Sequence, residues 1–419
     1  MNGIFHWDIF SDQPHQIKNK KRKKELKKKN RFQILTTIFL SILLFPFFII
    51  RIIFPTKKKS IKLSNFFGIG INLDKGKEQL KILKELKLKN INIRFPISDI
   101  AIIEQYIDFI SEFKDYRVLL TILQNRENIE DLEFFKINIY KTFDKFSQIG
   151  ISEFQIGNAI NRSKWGFFSI SEYLQFYKVA FQVRSQNFPN IKLIGSSVID
   201  FEFYNTIHTL FNFQDIYFDS VASLLYVDRR GQPENSQSFI FNLEKKIKLL
   251  FQIVQTSLKT SNSIYITETN YPIKNTEPYT PTSQFETVSL ENYSNFMIRY
   301  LLIAIATQKI EKVFWHQLIS AGYGLIDNRE ESLKKYPAFY SLKFLLETLE
   351  NQEYISHKFE SNLHFIEFSN CKIYWTISDE VKLSFPKHKI VDIYNKSISN
   401  KNLSISQIPI VIYRDIFES

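Results

Sequence analysis

One carboxylate in this sequence ends a short apolar run, which is a position suited to chemistry. Residues 263–272 read SIYITETNYP, and Ile264 and Ile266 occupy alternate positions before the run stops at Glu268. Alternation of this kind predicts a β-strand. A carboxylate at the C-terminal tip of a buried strand lies where an α/β barrel carries its active site. The alternative is an acidic residue that only marks a strand-to-loop turn, and the rest of the chain bears on that choice.

Short apolar runs recur along the chain and alternate with amphipathic helical segments, which is typical of a parallel α/β fold. Eight runs are predicted strands, at residues 66–72, 90–95, 117–123, 153–158, 192–198, 220–226, 263–268 and 312–317. Eight such units over residues 63–349 indicate a (β/α)8 TIM barrel, a fold of about 250 residues. An open doubly wound sheet would need a glycine-rich phosphate turn after the first strand, and residues 71–76 do not supply one.

Beyond residue 350 the helical period disappears. Short strands are predicted at residues 363–368, 372–377, 381–385, 390–394 and 408–413, with polar turns between them. Residues 350–419 are therefore expected to form a small antiparallel β domain beside the barrel.

The N-terminal region has the composition of a membrane anchor. Residues 1–31 form a basic tail, and an apolar stretch follows with no charge between Phe32 and Ile50. Nineteen such residues are enough to cross the bilayer as a helix, so residues 32–54 are a predicted transmembrane signal anchor. A cleaved signal peptide fits less well, because the run is too long and no small-residue cleavage site follows it. The alternative role for the tail is binding to anionic lipid or nucleic acid.

Charge distribution bears on topology and on partners. Residues 1–62 hold 15 Lys and Arg against 3 Asp and Glu, which accounts for the whole net charge of +12. Ten of the basic residues precede the apolar stretch and five follow it. The positive-inside rule then places the N-terminus in the cytoplasm and the barrel outside it, in the periplasm or at the cell surface. The body of the chain is neutral, which argues against a nucleic-acid-binding groove.

The sequence offers little for metal or redox chemistry. Cys371 is the only cysteine, so no disulfide framework or thiolate metal site is expected. The seven histidines show no metal-ligand spacing. We therefore expect neither a metal nor another cofactor.

Polar and aromatic residues stand at the ends of several predicted barrel strands, where they would line one cleft. They are Arg94, Asn158, Tyr226, Glu268, Trp315 and His316. Three segments carry a family resemblance: residues 157–165, reading GNAINRSKW; residues 266–272, reading ITETNYP; and residues 336–340, reading YPAFY. In order and spacing they resemble the strand-four motif, the strand-seven nucleophile motif and the last-helix motif of clan A glycoside hydrolases, the retaining TIM-barrel glycosidases.

The resemblance implies a role for each of these residues. Glu268 would be the nucleophile of a retaining mechanism, and Asn158 would bind the sugar 2-hydroxyl. Arg94 and Tyr226 would keep Glu268 ionised and oriented. Trp315 would form a stacking floor for a pyranose ring. The alternatives are a buried ion pair for Arg94, a turn-forming Asn158 and a core position for Trp315.

The chain departs from the family pattern at one position. The general acid/base glutamate should follow Asn158, but the residue there is Ala159. Loss of acid/base assistance costs on the order of 10²–10⁴ in rate. His316 could bind a hydroxyl or supply the proton, although a lone histidine is more often a structural group. Other candidate acids lie on the loops after strands five and six: Glu202, Asp228 and Glu234.

Two further interpretations of Ala159 remain open. The substrate could carry a leaving group that needs no proton, such as a sugar linked to phosphate or to a lipid phosphate. Alternatively, the domain binds glycan without chemistry, as a pseudoenzyme in envelope polysaccharide assembly. The sequence thus supports a membrane-anchored protein acting on cell-surface or lipid-linked glycan, either as a retaining glycosidase or transglycosidase or as a binding protein.

The predicted topology can be checked by protease protection. Protease added outside intact spheroplasts should cleave the barrel and spare the basic tail, because the bilayer shields the cytoplasmic side. Epitope tags at the two ends and immunoblotting would report which part is cut. A barrel that stays intact while an exported control protein is digested would contradict this topology.

Overall fold

Eight parallel strands form a closed barrel in chain order, with the last strand paired to the first. The computed structural model describes residues 7–8, 10, 13–14, 19–54, 61–227, 231–237, 240–280, 286–385, 387–400 and 403–414. The barrel strands are β1 (Phe67–Ile71), β2 (Asn90–Pro96), β3 (Arg117–Leu123), β4 (Glu153–Ile156), β5 (Lys192–Ile199), β6 (Ser220–Leu224), β7 (Ile264–Thr269) and β8 (Lys312–Trp315). Each strand lies inside a predicted segment or extends beyond it by one residue. The predicted (β/α)8 barrel is therefore confirmed.

The barrel interior is filled by side chains. One buried cluster combines residues from five strands: Leu119, Ile194, Ala222, Tyr265 and Phe314. A Cβ on Gly68 would lie 2.4 Å from a ring carbon of Phe314. Protein interiors are close-packed, so β1 needs a residue without a side chain where it passes this ring.

Helices surround the barrel and connect its strands. They are α3 (Gln79–Leu86), α4 (Ile103–Ser111), α5 (Arg126–Glu130), α6 (Leu132–Gln148), α7 (Ile170–Asn187), α8 (Phe203–Leu210), α9 (Leu243–Thr256), α10 (Leu290–Thr307) and α11 (Pro337–Leu349). Ser169 and Ser289 cap α7 and α10, since each side chain accepts a hydrogen bond from a backbone N–H three residues later. These caps satisfy donors that the first helical turn leaves without partners.

The C-terminal region is antiparallel, as predicted. Its strands are β9 (Tyr354–Glu360), β10 (Leu363–Phe368), β11 (Cys371–Thr376), β12 (Val381–Leu383), β13 (Ile390–Asp392), β14 (Leu403–Ile405) and β15 (Ile410–Tyr413). One sheet has the order β9-β10-β11-β15-β13, and β12 pairs with β14. The sequence did not predict β9 or β14, because β9 carries His, Lys and Glu and β14 has only three residues.

A buried ion pair joins the barrel to the C-terminal domain. Arg299 on α10 donates through Nε to Glu234 Oε1 (2.9 Å), and the indole N–H of Trp375 on β11 donates to the same oxygen (2.7 Å). Gln232 donates to the backbone oxygen of Ile377 (2.9 Å) and accepts a hydrogen bond from Arg299. The loop after β6 is therefore held between the two domains.

An apolar helix precedes the barrel. Helix α2 (Arg31–Arg51) follows α1 (Lys20–Lys29), and by length and composition it is the one helix among the described residues that could cross a membrane. It lies along the outside of the barrel against α8 and α9. Phe48 is buried there, and Phe45 meets Phe203 edge to face with ring centroids 5.1 Å apart. Most of its other large apolar side chains are exposed.

Residues before α2 also contact the barrel. The side chain of Asn30 donates to Ser169 Oγ (3.4 Å), and Gln13 bonds to Lys164. A spanning helix separates its two ends by roughly 30 Å of hydrocarbon. If α2 spans a bilayer with the N-terminus on the side opposite the barrel, α2 and the residues before it must therefore leave these contacts.

The buried pair between the domains gives a stability prediction. Arg299→Met should lower the free energy of unfolding by about 3–5 kcal/mol, because it leaves Glu234 buried without its cation. Urea unfolding measures the change. The control is Lys77→Met, whose pair with Glu112 is exposed to solvent and should contribute little to stability. An Arg299→Met protein as stable as the control would contradict a structural role for the pair.

Candidate active site

A single cleft at the C-terminal end of the barrel collects most of the predicted site residues. Arg94 lies in β2, Glu268 in β7, and Tyr226 and His316 directly follow β6 and β8. All four line a cavity of about 160 Å³. They converge because parallel strands in a closed barrel direct all their C-terminal ends to one face.

Glu268 is held by three hydrogen-bond donors. Arg94 Nη2 donates to Oε2 (2.8 Å), and Tyr226 donates its hydroxyl proton to Oε1 (2.6 Å). Asn158 Nδ2 approaches Oε2 at 3.4 Å. Asn158 is itself buried, and its backbone N–H and C=O both bond to the side chain of Gln124. The carboxylate is therefore fixed in orientation by donors from three parts of the barrel: β2 and the segments after β4 and β6.

The surroundings of Glu268 favour its charged form. Burial alone would raise the pKa of this carboxyl, since Glu268 is only 8% exposed. Attraction to Arg94 and the hydrogen bonds from Tyr226 and Arg94 oppose burial and hold the pKa at about 2. Glu268 is an anion at neutral pH, which suits a nucleophile.

His316 is a hydrogen-bond acceptor in this site. Its Nε2 lies 2.9 Å from Arg94 Nη2, and because a guanidinium only donates, Nε2 accepts. Burial and the neighbouring Arg94 lower the pKa of His316 to about 3. The ring stacks on Tyr323 with centroids 5.4 Å apart. A neutral ring that faces a cation through a lone pair supplies no proton at neutral pH, so His316 is not a general acid in this arrangement.

The position of the missing general acid is apolar. Ala159 is fully buried in a cluster with Leu123, Trp165 and Leu224. Tyr226 packs against the same cluster. Where the family pattern has a carboxyl group, this chain has a methyl group packed in an apolar cluster, of whose buried members only Trp165 lines the cleft.

The three proposed substitute acids are placed differently. Glu202 lies beside the cleft, bonded to Arg162 and Asn205. Glu234 lies in the interface between the two domains, where Arg299 neutralises it. The structure therefore does not bring Glu234 into the cleft. Asp228 lies outside the described residues.

Trp315 does not form the expected stacking floor. Its side chain is buried, and its indole N–H donates to the hydroxyl of Tyr293 (2.8 Å). The structure places Trp315 in the core, which was the alternative. Trp165 lines the cleft instead, with the Arg94 guanidinium 5.7 Å from its ring centroid. Trp165 closes the strand-four motif, so the motif itself was the signal that could have identified it.

Sequence reasoning also missed Asp200. This residue follows β5 and lines the cleft, and its carboxylate accepts from Arg162 Nη2 (2.8 Å). Its place directly after a barrel strand was the available signal. Among the described residues no group of three or more His, Cys, Asp and Glu side chains is arranged to hold a metal.

Comparison with protein-family models and with curated proteins finds no match in either case. Solved structures do match. A family 39 glycoside hydrolase from Bacteroides cellulosilyticus shares 12% identity with a TM-score of 0.63, over 84% of this chain and 82% of that one. A conserved exported protein from Bacteroides fragilis shares 10% identity with a TM-score of 0.60, over 86% and 98% of the two chains. A family 39 β-xylosidase from Caulobacter crescentus shares 10% identity with a TM-score of 0.56, again over 86% and 98%.

At such low identities these likenesses concern the fold. They confirm that the chain has the TIM-barrel fold of clan A glycoside hydrolases, as its motifs indicated.

The lowered pKa of Glu268 predicts a pH-dependent contribution to stability. Its folded pKa lies below the ordinary value of 4.5, so the stabilisation is complete above about pH 5 and is lost as the pH falls towards 2. The unfolding free energy of the wild type should exceed that of Glu268→Gln by up to about 3 kcal/mol near pH 7, and the difference should shrink in acid.

Urea unfolding at several pH values measures this difference. Glu104→Gln is the control, because its pair with Lys145 is exposed to solvent and should contribute little to stability. If the difference in unfolding free energy between the wild type and Glu268→Gln is the same at pH 7 and pH 2, Glu268 is not an anion stabilised by Arg94.

Proposed function

We propose that this chain is a membrane-anchored glycosidase-like protein that acts on cell-surface or lipid-linked glycan, with Glu268 as the nucleophile of a retaining mechanism. The observation that carries the proposal is the anionic Glu268, held by Arg94, Tyr226 and Asn158 at the end of a barrel with a glycosidase-like fold.

The chemistry follows from this geometry. Glu268 attacks the anomeric carbon, its oxygen forms a bond to that carbon, and the bond to the leaving oxygen breaks with its electron pair. Water then hydrolyses the glycosyl-enzyme, or a second sugar hydroxyl accepts the glycosyl group. Asn158 is close enough to Glu268 to bond a sugar hydroxyl beside the reacting carbon.

The apolar surroundings of Ala159 restrict the substrate. Of the acidic and histidine side chains proposed as substitutes or found at the described cleft, His316 is neutral, and Asp200 and Glu202 are paired with Arg162, so none of these three is a ready proton donor. An alkoxide leaves slowly without a proton, whereas a phosphate leaves as a stable anion. A sugar joined through phosphate therefore suits the site better than an ordinary alkyl glycoside.

The membrane anchor rests on the sequence of α2 and of the tail before it. Helix α2 is apolar and long enough to span the bilayer, and the excess of basic residues before it favours a cytoplasmic N-terminus. A barrel tethered beside a bilayer would meet envelope glycans, which is the basis for the proposed class of substrate.

A second candidate function is glycan binding without catalysis. Ala159 and the apolar cluster around it favour this alternative, because a cleft with one carboxylate can bind a sugar without cleaving it. In that case the protein would act as a partner in envelope polysaccharide assembly.

Covalent labelling separates the two functions. A 2-fluoroglycoside with a good leaving group should add the mass of its glycosyl group to the peptide that contains Glu268, as detected by mass spectrometry. Such reagents form the intermediate without acid assistance and hydrolyse slowly. Glu268→Gln should abolish the label, while Glu104→Gln, on the exposed outer surface, should retain it.

Failure of a broad panel of these reagents to label the folded protein would favour the binding function. If the intermediate forms, added azide should release glycosyl azide, because a small anion attacks without the missing base.

A further inference from the structure

A groove lined by aromatic side chains opens beside the cleft. It has a volume of about 820 Å³ and lies between the loop after β5, the start of α8, helix α9 and helix α2. Phe201, Phe203 and Phe241 are half-buried in its walls, and Phe45 of α2 closes its outer side. The groove therefore presents hydrocarbon rather than hydrogen-bonding groups over much of its surface.

The groove adjoins the cleft. Asp200 and Tyr226 line both of them. Tyr226 donates to Glu268 Oε1, so the groove begins one side chain away from the reactive carboxylate. Tyr226 also packs on the cluster that contains Ala159, which marks the side where a leaving group would depart. A group attached to the leaving oxygen would thus be directed towards the groove.

Charged side chains at the edge of the groove bond to protein partners. Arg162 pairs with both Asp200 and Glu202, and Lys246 bonds to Gln237. Arg162 offsets the charges of Asp200 and Glu202, and Lys246 donates to the amide of Gln237, so these polar groups already have protein partners and the aromatic walls favour an apolar occupant.

We infer that the groove holds the apolar tail of a lipid phosphate whose sugar occupies the cleft. This inference rests on the proposed function and narrows its substrate to a lipid-linked glycan. The tail explains the aromatic walls, and the phosphate explains how the sugar can leave where Ala159 replaces an acid.

Helix α2 supports an apolar occupant. Its Phe45 lies 5.1 Å from Phe203 and 6.4 Å from Phe241, measured between ring centroids, so the chain's own apolar side chains already pack on this surface. When α2 inserts into the bilayer these contacts are released. The groove then opens on the side of the membrane, from which a lipid tail would enter.

Photolabelling tests the tail site. The full-length protein in phospholipid nanodiscs is irradiated with diazirine-bearing farnesyl phosphate, and the labelled peptides are identified by mass spectrometry. Saturable labelling of peptides containing Phe203 or Phe241 is expected, with competition by unlabelled farnesyl phosphate but not by methyl phosphate. Labelling confined to α2 would report membrane contact alone and would overturn the inference.

Matched variants test the aromatic walls. Phe203→Ser combined with Phe241→Ser should weaken saturable labelling about tenfold or more, because the apolar surface is lost. Phe213→Ser is the control, since Phe213 is 81% exposed and does not line the groove. Phe203→Leu keeps the apolar surface and should retain labelling. If Phe213→Ser or Phe203→Leu loses as much saturable labelling as the double variant, or if the double variant loses none, the proposed tail site is wrong.

The same preparation separates this inference from the proposed chemistry. A water-soluble 2-fluoroglycoside labels Glu268 without using the groove. Labelling of Glu268 without saturable groove labelling would overturn the tail site and leave the chemistry intact. Groove labelling without labelling of Glu268 would support a lipid-glycan-binding protein that lacks the chemistry.

Discussion

The buried ion pair between Arg94 and Glu268 is the interaction on which the site depends. A carboxylate this far from water is unstable as an anion unless a cation and hydrogen-bond donors replace the solvent. Its partners come from β2 and from the loops after β4 and β6, so the pair exists only when the barrel is closed. Just below it, Asn92 donates to the backbone oxygen of Thr267 (3.2 Å) and accepts from Thr121 (2.7 Å). This polar layer ties β2 to β7 and β3 beneath the site.

The surroundings of Glu268 and of Ala159 differ chemically. Hydrogen-bond donors around Glu268 keep it anionic, whereas Ala159 is packed in the core among Leu123, Trp165 and Leu224, of which only Trp165 lines the cleft. A carboxyl group at residue 159 would have to be buried in that cluster, which would cost free energy unless the cluster opened. The surroundings of residue 159 therefore suit an alanine, which is consistent with either of the two proposed functions.

The apolar surface of α2 has two compatible environments. Along the barrel it packs on Phe203, Phe211 and Phe241, and most of its remaining large apolar side chains are exposed. The hydrophobic effect has no preferred direction, so a bilayer would cover the apolar side chains that pack on the barrel and also those that are exposed there. Because Phe45 of α2 lines the groove beside the cleft, the position of this helix affects that groove.

The sequence by itself determined the barrel, its strands and the residues at their ends, because apolar periodicity and strand-end position are local properties. Their positions at the ends of predicted strands two and seven also predicted that Arg94 and Glu268 would meet in one cleft, although 174 residues separate them. Tertiary structure alone decided which strand-end side chains enter the cleft. Trp315 points into the wall and Trp165 into the cavity, because side-chain direction depends on register and on the path of each loop. It also decided that Glu234 pairs with Arg299, since a loop acid is neutralised only when distant elements pack around it.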